Sequence, residues 1–172
     1  MRFPTGREVD GGPEFSKANV GDGYMNGVEL GSRVRVLDDV SLYGSFAWVE
    51  GTADSIVDGE QIREPLSRIQ PPWALVGARW NSSDGRWWGE LEATFAGDAD
   101  RLAARDVADT QRIPPGGTPG YEVLALRVGG EVVTGLDVGL AVENVTNQDY
   151  RLHGSGVNEP GTNAIVTLDY RL

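Results

Sequence analysis

The chain has 172 residues, 40% hydrophobic and 24% charged, a size and mix that suit one ordinary domain and say little about class. A net charge of −11 and a single lysine, Lys17, exclude a nucleic-acid binder, which needs clustered Lys and Arg for phosphate contacts. The absence of Cys removes disulfide scaffolds, thiolate zinc sites and cysteine nucleophiles, and no run reaches the roughly 20 apolar residues of a membrane helix.

Glycine, at 24 residues, is about twice as frequent as usual, which favours strands and turns over packed helices. After an N-terminal segment, 1–22, the pattern has period two. Over about 23–37, Val28, Leu30, Ser32, Val34 and Val36 alternate with Gly27, Glu29, Gly31, Arg33 and Arg35. A tight Asp38-Asp39 turn leads to 40–50, where Val40, Leu42, Gly44, Phe46 and Trp48 share a face, and the two segments form a hairpin. A third segment, about 72–80, sets Ala74, Val76, Ala78 and Trp80 against Leu75, Gly77 and Arg79. Beyond a turn at 81–85, residues 86–96 alternate Trp87, Gly89, Leu91, Ala93 and Phe95 with Trp88, Glu90, Glu92 and Thr94. Segments at 121–128 and 136–143 form a third hairpin, and 163–172 carries Ala164, Val166, Leu168, Tyr170 and Leu172 on its apolar face.

The connections alternate in length, with short turns near 38–39, 81–85 and 129–135 and long loops at about 51–71, 97–119 and 144–162. Short turns on one rim and long loops on the other are the asymmetry of a transmembrane β-barrel, whose strands escape hydropathy scans because lipid-facing and lumen-facing residues alternate. The expected fold is therefore all-β, an antiparallel up-and-down barrel segment of about seven strands in an incomplete, open sheet. Val28, Leu30, Val34, Phe46, Leu91, Phe95, Leu140, Val142, Val166 and Leu168 are expected to face outward, and Glu29, Arg33, Arg35, Glu90, Glu92, Asp137 and Glu143 inward. Trp48, Trp73, Trp80, Trp87 and Trp88, near strand ends, are read as interfacial girdles.

Catalytic readings are weak. Glu90 and Glu92 share a face as acid–base partners would, but no nucleophile accompanies them, and wet lumen-facing charge is the better account. His153, with Asp149 and Ser155 nearby, lies in a glycine-rich loop without a nucleophile elbow. Asp98, Asp100, Asp106 and Asp109 share a loop but lack the spacing of a calcium hand, so a solvated acidic loop is expected. No enzyme and no cofactor is expected. A soluble lipocalin-like or sandwich binding module and a passive porin-like barrel are the alternatives the pattern allows.

Three stretches resemble TonB-dependent outer-membrane receptors: Asn19 to Leu30, Glu143 to Arg151 and His153 to Gly161. In the second, Asn144, Asp149, Tyr150 and Arg151 resemble the family's segment entering the last external loop; in the third, Gly161 falls where such receptors carry Pro-Gly-Arg, with Thr162 in place of Arg. The ending, Leu168, Tyr170 and Leu172, resembles the signal read by the barrel-assembly machinery, although an aromatic final residue is commoner. The resemblance implies a plugged barrel of about 22 strands in the cell outer membrane, with residues 1–22 as an external loop and 23–172 as C-terminal strands. It also implies uptake of a scarce ligand, such as an iron–siderophore chelate, driven by TonB through a plug. On this reading Met1 marks a truncated gene or gene fragment. The partners implied are outer-membrane lipid, the remainder of the receptor, TonB, the assembly machinery and the ligand.

Overall fold

The computed structural model describes residues 2–17, 21–57 and 59–171. A hairpin of β1 (Arg2–Val9) and β2 (Gly12–Lys17) forms its own two-stranded ribbon, turning at Asp10 and Gly11, both at positive φ. The main sheet contains β3 (Gly23–Arg35), β4 (Val40–Val57), β6 (Trp73–Asn81), β7 (Trp87–Ala96), β8 (Tyr121–Val133), β9 (Leu136–Glu143) and β10 (Asn163–Tyr170), with β5 (Glu60–Pro65) beside the far end of β4. Each strand pairs antiparallel with its neighbour in a simple meander. The seven segments read from the sequence are these seven strands.

Two boundaries and the content of one loop differ. β4 runs to Val57 rather than ending near Glu50, and pairs with β5, so the first long loop is largely a raised hairpin. Its signals are the Asp58-Gly59 dipeptide and the flanking Ile56, Val57 and Ile62, a turn between β-branched residues. β8 continues to Val133, which shrinks the expected 129–135 turn to two residues. The second long loop folds one helical turn, α1 (Ala104–Ala108).

Register converts the alternating pattern into two chemically distinct faces. One rung runs Val34, Leu42, Ala78, Leu91, Leu126, Val142, Ala164 across all seven strands. The rung behind it runs Arg33, Tyr43, Gly77, Glu92, Ala125. The apolar face has no cover: Val34, Leu42, Leu91 and Leu126 are all exposed, Leu91 by 53%. Trp80 and Trp87 lie on this face near the short turns, where Trp80 Nε1 donates to Asp39 (3.0 Å), and Trp48 shares its parity. Trp73 and Trp88 do not belong to a girdle. They have the opposite parity, and Trp88 lies under the Arg79 guanidinium, 4.3 Å from its ring centroid.

The long loops gather on one rim and the short turns on the other, with the end of β10 beside the turns, where Arg171 N donates to Gly135 O (2.8 Å). β3 and β10 are the sheet edges, exposed along their length and unpaired with each other. Both run from the loop rim to the turn rim, so joining them directly would be parallel and would break the meander.

Candidate functional site: the charged face and the loop layer

The polar face carries a salt-bridge network built by register. Glu90 stands opposite Arg79 on β6 and Arg127 on β8. Arg127 reaches Glu90 (3.3 Å), Glu92 (3.1 Å) and, through two guanidinium nitrogens, Glu143 (3.0 and 3.1 Å). Arg79 pairs with Glu90 at 3.4 Å, and Tyr43 donates its hydroxyl to Glu92 at 3.0 Å. Tyr43 lies flat across Gly77, where a Cβ would come within 2.2 Å of its ring, so only glycine leaves room for it. Arg33 caps the Tyr43 ring at 5.1 Å. Glu90 and Glu92 are therefore ion-pair partners, each held by arginine, rather than an acid–base couple.

The loop layer contains most of the buried residues. Asp106, 2% exposed, accepts from Ser67 Oγ (2.5 Å), Arg68 N (3.2 Å) and Ala103 N (3.3 Å), tying the second long loop to the first. Ala104 N donates to Glu64 (2.6 Å) across the same seam. Asp109 pairs with Arg68 (2.5 Å) and Arg112 (3.1 Å); partial desolvation opposes the shift, but these cations hold its carboxyl below the usual range. His153, 8% exposed, joins the third loop to the second through Thr118 Oγ1 (2.9 Å), and its carbonyl accepts from Gln70 of the first (3.3 Å). Burial pushes the His153 imidazole below its ordinary pKa, as does nearby Arg68, against the opposing charge of Asp106. Ile113, Ala103 and Ala99 fill the interior of this layer.

Three carboxylates of the acidic loop, Asp98, Asp106 and Asp109, are thus structural acceptors, Asp98 taking the Gly120 N–H at 2.7 Å, while Asp100 is exposed. Among the described residues no group of three or more His, Cys, Asp or Glu is placed to hold a metal ion.

The motif residues of the last loop form a knot. Asn144, buried and left-handed at φ 49°, donates to Gln148 O (2.8 Å) and Pro160 O (3.1 Å) and accepts from Gln148 N (2.8 Å). Thr162 donates its amide to Asn147 (3.1 Å) and its hydroxyl to Asn144 O (2.9 Å); a Cβ on Gly161 would come within 2.5 Å of that Asn147 oxygen. Asn158 bridges Asp149 (2.7 Å) and Arg151 Nε (2.8 Å), and the Tyr150 ring meets Tyr121 at 4.4 Å. Beneath these loops, on the polar side of the sheet, lies an open cavity of about 350 Å3 whose walls include Glu29, Trp73, Tyr121, Arg151 and His153.

A family model described as TonB dependent receptor-like, beta-barrel, matches residues 2–145. The chain belongs to that family. Its barrels lie in the outer membrane, so the exposed apolar face is the lipid-facing wall and the charged face lines the lumen. A soluble binding module, which would bury its apolar face, is thereby set aside. Among solved structures the chain resembles "Copper transporter OprC" with a TM-score of 0.71 and 20% identity, over 87% of this chain and 24% of that one. A search of curated proteins matched none.

The family match ends at residue 145, so most of the last loop and β10 lie beyond it. There Leu168 and Tyr170 stand 70% and 65% exposed on the lipid-facing side of an edge strand, while Leu172 and the Asn19-Val20 start of the first motif lie outside the described residues. Asn144, Asp149, Tyr150, Arg151 and Gly161 come together in one loop knot. Sequence reasoning did not single out Asp106 and Arg127 as hubs. For Arg127 a signal was present, since it falls at the parity of Glu90 and Glu92.

Proposed function

We propose that this chain is the C-terminal wall of a receptor that takes up a scarce ligand, a metal chelate of the iron–siderophore class, through TonB. The observation that carries the reading is the two-faced, looped wall together with its family. A lipid-facing apolar surface, a lumen lined by fixed charge and an ordered loop layer over that lumen suit a gated binding barrel. The chain spans about a quarter of the solved transporter it resembles.

On this reading residues 1–22 form an external extension of the barrel, an idea supported by the β1–β2 ribbon. Leu168, Tyr170 and Leu172 serve as the signal for the barrel-assembly machinery, supported by the exposure of the first two on the lipid-facing side. The test is accumulation of radiolabelled ferric siderophores by cells carrying the gene, with and without TonB. Uptake that requires both TonB and the proton gradient supports the proposal. Diffusion of small solutes independent of TonB would favour the passive porin-like barrel instead.

A further inference from the structure

The cavity beneath the loops has a chemistry of its own. Its lining is mainly apolar, with the Trp73 and Tyr121 rings offering flat surfaces and Pro71, Pro119 and Leu152 completing the walls. Trp73 and Tyr121 share the lumen parity of Ala47 and Ala96. Arg151 also lines the cavity. Its Nε is taken by Asn158 (2.8 Å), which fixes the guanidinium plane, yet it has no carboxylate partner among the described residues. Arg63, Arg68, Arg101 and Arg112 of the same loop layer are each in an ion pair. A positioned guanidinium without a direct ion-pair partner, held from Asp149 by the intervening Asn158 amide and opening onto a mainly apolar cavity, is suited to an anion, for which its remaining N–H groups offer a fork. The single carboxylate in the lining, Glu29 on β3, disfavours more than one negative charge on the occupant.

We propose that Arg151, Trp73 and Tyr121 form a subsite for a flat organic group bearing one negative charge. The walls are held in place beforehand. Thr118 and His153 are bonded to each other, Gln70 to the His153 carbonyl, and Tyr121 packs on Tyr150, so binding orders little of the protein. Of the two ends of such a ligand, the ring stacks on Trp73 or Tyr121 and the anion meets Arg151. The inference rests on the uptake reading only for its biological purpose; occupancy of the subsite needs neither TonB nor a plug.

The test uses the full chain in detergent micelles, with 2-naphthoate and its neutral isostere 2-naphthamide as probes and tryptophan quenching as the readout, chain-free micelles being subtracted. Naphthoate is expected to bind about tenfold more tightly than naphthamide, the size of one charge-assisted hydrogen bond. Arg151→Gln should erase that preference, Arg151→Lys should keep part of it, Trp73→Leu should weaken both probes, and Arg63→Gln, outside the cavity, should change neither. Equal binding of the two probes by the unmodified chain, or no saturable binding of either, would overturn the proposal even if no variant folded. Undiminished naphthoate preference in a folded Arg151→Gln chain would overturn it as well. A failure here leaves TonB-dependent accumulation in cells untouched, and the reverse also holds.

Discussion

Replacing Asp106 by Ala removes the acceptor on which two long loops converge. The carboxylate is 2% exposed and takes three hydrogen bonds, from Ser67 Oγ, Arg68 N and Ala103 N. Hydrogen bonds to a charged group are worth about 1.5–3 kcal/mol each, and they are not additive within one site. Removing the group also leaves the Arg68 and Ala103 amides without this acceptor. A loss of about 3–5 kcal/mol is expected, from donors left unsatisfied at about 1–3 kcal/mol each. The loss is local, because the strand ladders do not pass through Asp106. The assay is amide hydrogen exchange: protection at 67–69 and 103–109 should fall by two orders of magnitude or more, about 1.4 kcal/mol per tenfold, while β6–β9 stay protected. Asp106→Asn, which keeps an acceptor, should fall between. Unchanged protection in Asp106→Ala would refute the claim that this carboxylate braces the loop layer.

Other consequences follow from the same geometry. Leu91→Arg, midway along β7 on the lipid-facing side, should cost about 2–4 kcal/mol in lipid, measured by denaturant unfolding from vesicles, whereas the same change at Trp87 near the turn rim should cost about 0–1 kcal/mol. Gly77→Val should displace the Tyr43 ring, with which its Cβ would collide at 2.2 Å, and weaken the Tyr43–Glu92 bond, visible as altered tyrosine fluorescence. Because burial depresses the His153 pKa, the unfolded loop binds the proton more readily than the folded one below about pH 6.5. Loop-layer stability should therefore be full above that pH and decline as pH falls through it, read as smaller protection factors at Thr118 and His153, each relative to the intrinsic exchange rate at that pH, and His153→Gln should flatten the dependence.

The strand plan was legible because its signal is repeated. Seven alternating segments fix parity, and parity alone puts Leu91 outward and Glu92 inward once neighbours pair. Connections were legible in length but not in content. The 51–71 stretch is polar and glycine-containing, which hides the β4–β5 ribbon unless the Asp58-Gly59 pair is read as a hairpin turn between β-branched residues. The tryptophans were misassigned where nearness to a strand end outweighed parity: Trp73 and Trp88 have the parity of Glu90, and the lumen gives them an arginine and a cavity wall instead of lipid. Asp106 was invisible as a hub because its partners, Ser67 and Arg68, lie about forty residues away in another loop, and no local pattern encodes that meeting. The Asn144 knot was legible only as a resemblance; its physical cause is a left-handed asparagine whose side chain closes three hydrogen bonds.

The central claim is that successive residues of one strand meet lipid and lumen in turn. The chain has no native cysteine, so single cysteines at 42, 43, 91, 92, 126 and 127 each carry one nitroxide label without background. In lipid vesicles the labels at 42, 91 and 126 should be relaxed by oxygen, which concentrates in the bilayer, and those at 43, 92 and 127 by a water-soluble nickel chelate. Accessibility that does not alternate, or that reverses between the two sets, would contradict the barrel-wall account.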